Sequence, residues 1–170
     1  DAYEKSLLAI GISLLLIMVL LLALYRVMAI PACISLLVYT EIIIGFFLLL
    51  KVKLSLPGIA GLMLSIGMAV DANVIIFERI REELKAGKTH KAAIKAGYKN
   101  ALSSIIDSNI TTLIAGIVLY VYGIGAIRGF GVTLILGIVA SMFTAVLLTK
   151  WLLDLMANIF TFKSNKSFGA

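Results

Sequence analysis

LPGIAGLMLSIGMAVDANVIIFERI, residues Leu56 to Ile80, is an apolar run long enough to cross a bilayer, yet it carries an acid deep inside. About 20 apolar residues span the roughly 30 Å hydrocarbon core of a membrane. Counting back from the charged exit at Glu78 and Arg79 puts Asp71 seven or eight residues inside, about 10 to 12 Å deep at about 1.5 Å per residue. A carboxylate at that depth costs about 3 kcal/mol or more, so such acids usually face a bundle interior or a water-filled cavity and mark a proton or ion path. The competing reading is a carboxyl hydrogen-bonded between helices with no part in transport.

Composition sets the class around this run. Of the 170 residues, 62% are hydrophobic and only two are proline, and the mean hydropathy is +1.12. A soluble domain is about half apolar, so the chain reads as an all-α polytopic membrane bundle. The single cysteine, Cys33, lies in an apolar run and has no partner for an internal disulfide. The single histidine, His90, has no Cys or acid at ligand spacing, and no cofactor motif is present. The chain opens on Asp1 without the charged and small-residue pattern of a signal peptide, and we expect it to be a fragment lacking a first helix and an external domain.

Five spans are expected, at about 7–24, 28–50, 57–79, 101–121 and 130–153, followed by a cytoplasmic tail over 154–170. The first is nearly pure Leu, Ile, Met, Val and Ala, which suits a lipid-facing rim. The second begins with a turn at Pro31 and carries a second acid, Glu41. Pro57 is well placed in the first turn of the third.

Residues 80–100 form a basic polar stretch. Together with the preceding Arg79 they hold Arg81, Lys85, Lys88, Lys91, Lys95 and Lys99, and Ile94, Tyr98 and Leu102 recur every four residues. This predicts an amphipathic helix lying on the membrane surface, broken from the span before it at Ala86-Gly87 and capped by Thr89. Anionic lipid head groups suit such a stretch better than nucleic acid or ribosome. If it is cytoplasmic, these seven residues with Arg26, Lys150, Lys163 and Lys166 put 11 of the 15 basic residues inside. The positive-inside rule then places the N-terminus outside and the C-terminus in the cytoplasm.

The fourth span opens as ALSSIIDSNITTLIAG over residues 101–116. Asp107 lies about level with Asp71 there. Ser103, Asp107 and Thr111 make one row and Ser104, Ser108, Thr112 and Gly116 the next, a polar stripe that should point at protein or water. In the fifth span Gly129, Thr133, Gly137, Ser141 and Ala145 are small at every fourth position, as are Gly61 and Ser65 in the third. Such rows let helix backbones approach closely in lipid. We expect spans three, four and five to form the core with the polar stripe inside, and a methyl group at Gly137 to be far milder than a leucine. The candidate proton path is Asp71, Asn73, Asp107, Asn109, Thr111 and Thr112, and the candidate packing row is Gly129, Thr133, Gly137 and Ser141.

Four stretches resemble one known family: LPGIAG at Leu56 to Gly61, GMAVDANVIIFERIREE at Gly67 to Glu83, IIDSNITTLIAG at Ile105 to Gly116, and IRGFGVTLILGIVASMFTA at Ile127 to Ala145. They are similar to the membrane portion of the SecD/SecF protein-export family within the resistance, nodulation and division superfamily. The resemblance implies a six-helix half of a pseudo-symmetric bundle in the bacterial cytoplasmic membrane, completed by SecF. In that setting the proton-motive force helps draw preproteins through the SecY channel, with no enzymatic step. The family's intramembrane aspartate maps to Asp71. Ser108 stands where Ala is usual, and Lys51 and Lys53 precede LPGIAG. A proton-coupled small-molecule or lipid exporter of the same superfamily is the alternative on the bare physics of the acids. An intramembrane aspartyl protease would need Gly-x-Gly-Asp at one acid, and Gly67-Met-Ala-Val-Asp71 does not match.

The charge count predicts topology. In the protein that contains this chain, a cysteine replacing Lys88 or Lys95 should react with an impermeant maleimide only after the cell is opened, and one replacing Lys53 or Gly125 should react from outside. Labelling at Lys88 in intact cells would reverse the assignment.

Overall fold

The structure is a computed structural model that describes residues 2–51 and 55–159. Within them every regular element is helical. Helix α1 spans Ala2–Tyr25, α2 Ala29–Leu50, α3 Leu56–Lys85, α4 His90–Tyr122, α5 Ala126–Met142 and α6 Thr149–Ile159. A tight three-residue turn of helix, Arg26–Met28, joins α1 to α2, and a wider π-helical segment, Phe143–Leu148, joins α5 to α6. Of the expected tail over 154–170, residues 154–159 continue α6 as helix, while 160–170, with residues 52–54 and Lys53, lie outside the described residues.

Four helical stretches are long and apolar enough to cross a membrane: Glu4–Leu50, Leu56–Lys85, His90–Tyr122 and Ala126–Asn158. The first is 47 residues long, about 70 Å if it were straight. It is broken at Arg26, whose φ of 49° is left-handed. Leu21 and Tyr25 before the break share one buried cluster with Met28, Ala29 and Ala32 after it. Farther from the break, Ile10 shares another with Leu36, Tyr39 and Ile43. Residues at matching distances on either side of the break thus pack together. The turn falls at Arg26–Met28 rather than at Pro31, which occupies the first turn of α2, where a missing backbone donor is harmless.

The caps follow local chemistry. Ser55 Oγ accepts from the Gly58 backbone N–H at 3.2 Å, with Pro57 beside it in the first turn of α3. Thr89 Oγ1 accepts from the Ala92 N–H at 3.4 Å at the start of α4. Between them Gly87 takes φ 87°, a conformation that costs a residue without a Cβ little.

The expected surface helix over 80–100 does not stand as a separate element. α3 continues through Lys85, and His90–Asn100 is the first three turns of α4. Ala93, Ile94, Tyr98 and Ala101 are buried with Ile80 and Leu84. A side chain at Gly97 would come within 2.6 Å of the Ile80 backbone nitrogen. The apolar face at Ile94 and Tyr98 is therefore spent on α3, and the two helices end as a hairpin. Ion pairs Arg79–Glu82 at 2.8 Å and Arg81–Glu78 at 3.0 Å, and a further pair of Lys88 with Glu83, decorate it. Tyr25 donates to Glu78 at 2.8 Å and ties α1 to the same end.

Helices α3, α4 and α5 make the densest packing. α3 and α5 run side by side in the same direction along their small rows. A Cβ at Gly129 would lie 2.9 Å from Ser55 Oγ, one at Gly61 would lie 3.1 Å from the Phe130 carbonyl and strike Thr133, and one at Gly137 would overlap both Cβ and Oγ of Ser65. Ser141, next in the row, is buried. α4 crosses α5 at Gly116 and Gly131: a Cβ at Gly131 would stand 3.0 Å from the Gly116 carbonyl.

This geometry revises the expectation for alanine at Gly137. A methyl there already occupies the place of Ser65, and because the clash includes Ser65 Cβ, a rotamer change cannot relieve it. Gly137→Ala should destabilise the protein by about 1 to 3 kcal/mol, and Gly137→Leu should do so more severely. Thermal unfolding in detergent should also show that Ser65→Gly restores much of the loss in the double variant. Additive losses would mean that the two rows do not meet.

Candidate functional site in the membrane core

Asp71 stands at the edge of the α3 face that meets α4 and is exposed, not enclosed in the bundle interior as expected from the sequence. With Met68, Ala72 and Ile75 it lines a small cavity of about 60 Å³, closed on the α4 side by Ile105, Ser108, Asn109 and Thr112. One water needs roughly 10 to 15 Å³ of such space and two or more polar partners, so the cavity can take a few waters. A carboxylate, an amide and two hydroxyls converge on it. Asn109 is buried and donates from Nδ2 to the Ile105 carbonyl at 2.7 Å, which leaves its amide oxygen as an acceptor. The Ser108 and Thr112 hydroxyls donate to carbonyls of their own helix, Ile105 at 3.1 Å and Ser108 at 3.0 Å. Their lone pairs stay available to a water or to a protonated carboxyl.

Of the expected proton-path residues, the structure brings Asp71, Asn109 and Thr112 together, and adds Ser108. Asp107 and Thr111 do not line the cavity. They sit on the outer face of α4, where Thr111 Oγ1 donates to the Asp107 carbonyl at 2.9 Å. Ser103 and Ser104 are exposed as well, and Ser108 is exposed although it lines the cavity, so the polar stripe expected inside the bundle lies largely on its surface. The reason is the packing row. α4 meets its neighbours through Ala93, Gly97, Ala101, Ile105, Asn109 and Gly116, and residues two positions away along a helix point about 200° around its axis. Among the described residues neither the Asp71 nor the Asp107 carboxylate has a hydrogen-bond or ion-pair partner.

Asn73 is parted from Asp71 by the same rule and faces the opposite side of α3. Its Nδ2 donates to the Ala69 carbonyl at 3.2 Å, and its Oδ1 accepts from Thr149 Oγ1 at 2.8 Å. Ser35 of α2 lies 2.8 Å from the same Thr149 hydroxyl. With Ser35 1%, Asn73 3% and Thr149 0% exposed, three helices are joined by a buried chain of polar groups. Thr149 stands just past the π-helical segment, which also releases the Val146 carbonyl to Tyr98 at 2.5 Å. π-bulges of this kind often mark functional positions. Sequence reasoning did not find Ser35, Thr149 or the π segment, because each Ser or Thr reads alone as one of many small residues. A neighbouring network joins the Tyr39 and Ser65 hydroxyls at 2.7 Å, beside Gly137. Glu41 is exposed on α2, away from both networks.

The network predicts a stability effect. Thr149→Val keeps shape but strands the Asn73 amide oxygen and the Ser35 hydroxyl, at about 1 to 3 kcal/mol for buried groups left unpaired. Thermal unfolding in detergent should show that loss, and Thr149→Ser should restore most of it. An unchanged melting temperature in Thr149→Val would mean that the chain of hydroxyls carries no stability.

Comparison with known proteins supplies the family. The sequence profile described as "Protein export membrane protein SecD/SecF, C-terminal" matches residues 1–158. A protein translocase subunit SecD of Acidaminococcus fermentans is 48% identical over 171 residues, which is 100% of this chain and 41% of the relative. One from Calditerrivibrio nitroreducens is 51% identical over 150 residues, 88% of this chain and 29% of the relative. The crystal structure of SecDF from Thermus thermophilus, titled a translocon-associated membrane protein, superposes with a TM-score of 0.87 at 40% identity, covering 92% of this chain and 22% of that one. SecDF in a super-membrane-facing form gives a TM-score of 0.84, covering 91% and 21%. The chain thus spans well under half the length of these relatives. With the profile covering nearly all of it and the helices superposing on SecDF, the chain belongs to the SecD/SecF protein-export membrane family.

Proposed function

We propose that the chain is the membrane part of an auxiliary subunit of the Sec protein-export machinery, in which Asp71 carries protons across the bundle and drives preprotein movement. The observation that supports this best is the water-sized polar cavity at Asp71, lined by Ser108, Asn109 and Thr112 in the middle of two membrane-length helices. The Ser108 and Thr112 hydroxyls, with a few waters in the cavity, can exchange hydrogen bonds with the carboxyl in either protonation state. Asn109 orients the carboxyl, Ser108 and Thr112 exchange hydrogen bonds with water, and Asp107 and Thr111 extend the polar path on the α4 surface. Each proton that crosses 100 mV releases about 2.3 kcal/mol, enough to bias a two-state helix arrangement by more than about tenfold. The π-helical segment next to the Ser35, Thr149 and Asn73 network is where such a rearrangement would be absorbed.

In this reading the 47-residue stretch is a hairpin that crosses twice, giving five spans in one half of a pseudo-symmetric bundle. The exposed polar face of α4 supports a partner, since lipid cannot satisfy Asp107, Ser103 and Ser104 at membrane depth. The matched structures are titled SecDF, and we assign SecF to that face. The SecY channel and preprotein are then engaged outside a bacterial cytoplasmic membrane, with the N-terminus of this chain external and its C-terminus cytoplasmic.

Asp71→Asn keeps the shape and hydrogen bonding of the side chain but cannot titrate. In the full-length protein it should abolish the dependence of preprotein export on the proton-motive force while insertion and pairing with SecF continue. Asp107→Asn should be milder. Export by Asp71→Asn that still rises with an imposed proton-motive force would remove Asp71 as the carrier.

A further inference from the structure

At the charged end of the bundle, α4 and α6 enclose a groove of about 580 Å³ that the proton path does not use. Its floor is apolar, with Ile94, Leu102, Leu153 and Ala157, and its rim carries Lys91, Lys95, Lys99 and Lys150. Among the described residues Asp154 is the one acid that lines it. Among the described residues none of the four lysines forms an ion pair. Lys91 reaches the Asn158 amide oxygen at 3.5 Å, and Lys150 lies 5.2 Å over the Tyr98 ring, which holds its ammonium at the mouth of the groove. Trp151, beside Lys150, is 61% exposed, the placement that aromatic residues favour at a membrane–water boundary. The groove sits where the helices leave the bilayer, since Arg79, Arg81 and Lys85 cluster at the same end of α3.

Four lysines without an ion pair among the described residues, over an apolar floor at the level of the head groups, form an amphipathic receptor. We propose that this groove is a binding site for an anionic phospholipid. The phosphate group lies among Lys91, Lys95, Lys99 and Lys150, and acyl chain rests on Ile94, Leu102, Leu153 and Ala157. Basic pockets between transmembrane helices on the cytoplasmic side recognise such head groups by charge, and an apolar floor selects a lipid over a free anion. A zwitterionic lipid brings its own ammonium toward the lysines and is disfavoured. The occupant would brace α6 against α4, at the far end of the π-helical segment.

The test uses the full-length protein in nanodiscs made from equal parts of phosphatidylglycerol and phosphatidylcholine. Native mass spectrometry after release into mild detergent reads which lipid stays bound. The expected result is selective retention of phosphatidylglycerol, weakened about fivefold for each lysine removed in Lys95→Gln and in Lys150→Gln, while Lys85→Gln, at the same end but outside the groove, behaves as the parent. Equal retention of the two lipids by the parent protein overturns the proposal, as does an equal loss in Lys85→Gln. Capture of a polypeptide rather than lipid by a photocrosslinker at Lys95 would do so too, making the groove a protein-docking site. None of these readouts depends on proton transport, so the lipid site stands or falls separately from the role of Asp71.

Discussion

The close approach of α3 and α5 is the contact on which the rest of the bundle depends. Apolar side chains gain nothing by leaving lipid for one another, so helices in a membrane are held by packing at short range and by hydrogen bonds between them. Here Gly129, Thr133 and Gly137 pass Ser55, Gly61 and Ser65 with no room for a side chain at the glycines. This sets the depth and rotation of both helices together. Once α3 is rotated to offer Gly61 and Ser65 to α5, Asp71 must turn toward α4 and Asn73 toward α2 and α6. The polar cavity and the buried hydroxyl chain are two consequences of one packing decision.

A second constraint acts on α4. Its small and apolar row from Ala93 to Gly116 is used on α3 and α5, so Ser103, Ser104, Asp107 and Thr111 face outward. Thr111 and Thr112 satisfy their hydroxyls on their own helix, a local arrangement that lowers the cost of a polar face. Asp107 has no such recourse. An ionisable group on an outer face at membrane depth implies protein or water against it, and under the proposed function a partner on this face would lie beside the Asp71 cavity.

The two ends of the bundle differ in character. The end that carries the α3–α4 hairpin is tied by ion pairs and by Tyr25 to Glu78. The cap of α3 at the opposite end is Ser55, packed beside Gly129. α6 reaches the charged end through a π-helical segment whose widened turn supplies carbonyls to Tyr98 and to Thr149. That segment is the least regular part of an otherwise continuous helix of membrane length, and it lies against the Asn73 network.

Much of this was legible without coordinates because it is local or periodic. The all-helical class, Thr89 as a cap, Pro57 in a first turn, the break at Ala86-Gly87 and the small rows of α3 and α5 follow from residue type and a spacing of four. The amphipathic pattern at Ile94 and Tyr98 was legible as well, but not its destination. A stripe says that a face will be covered and is silent on whether lipid or α3 covers it. The separation of Asn73 from Asp71, the outward turn of Asp107, the pairing of Thr149 with Ser35 across 114 positions and the basic groove between α4 and α6 were decided only by the tertiary structure. Each depends on which face of one helix meets which face of another. That is a property of helix pairs, fixed by the closest steric approach available in lipid, and no single helix encodes it.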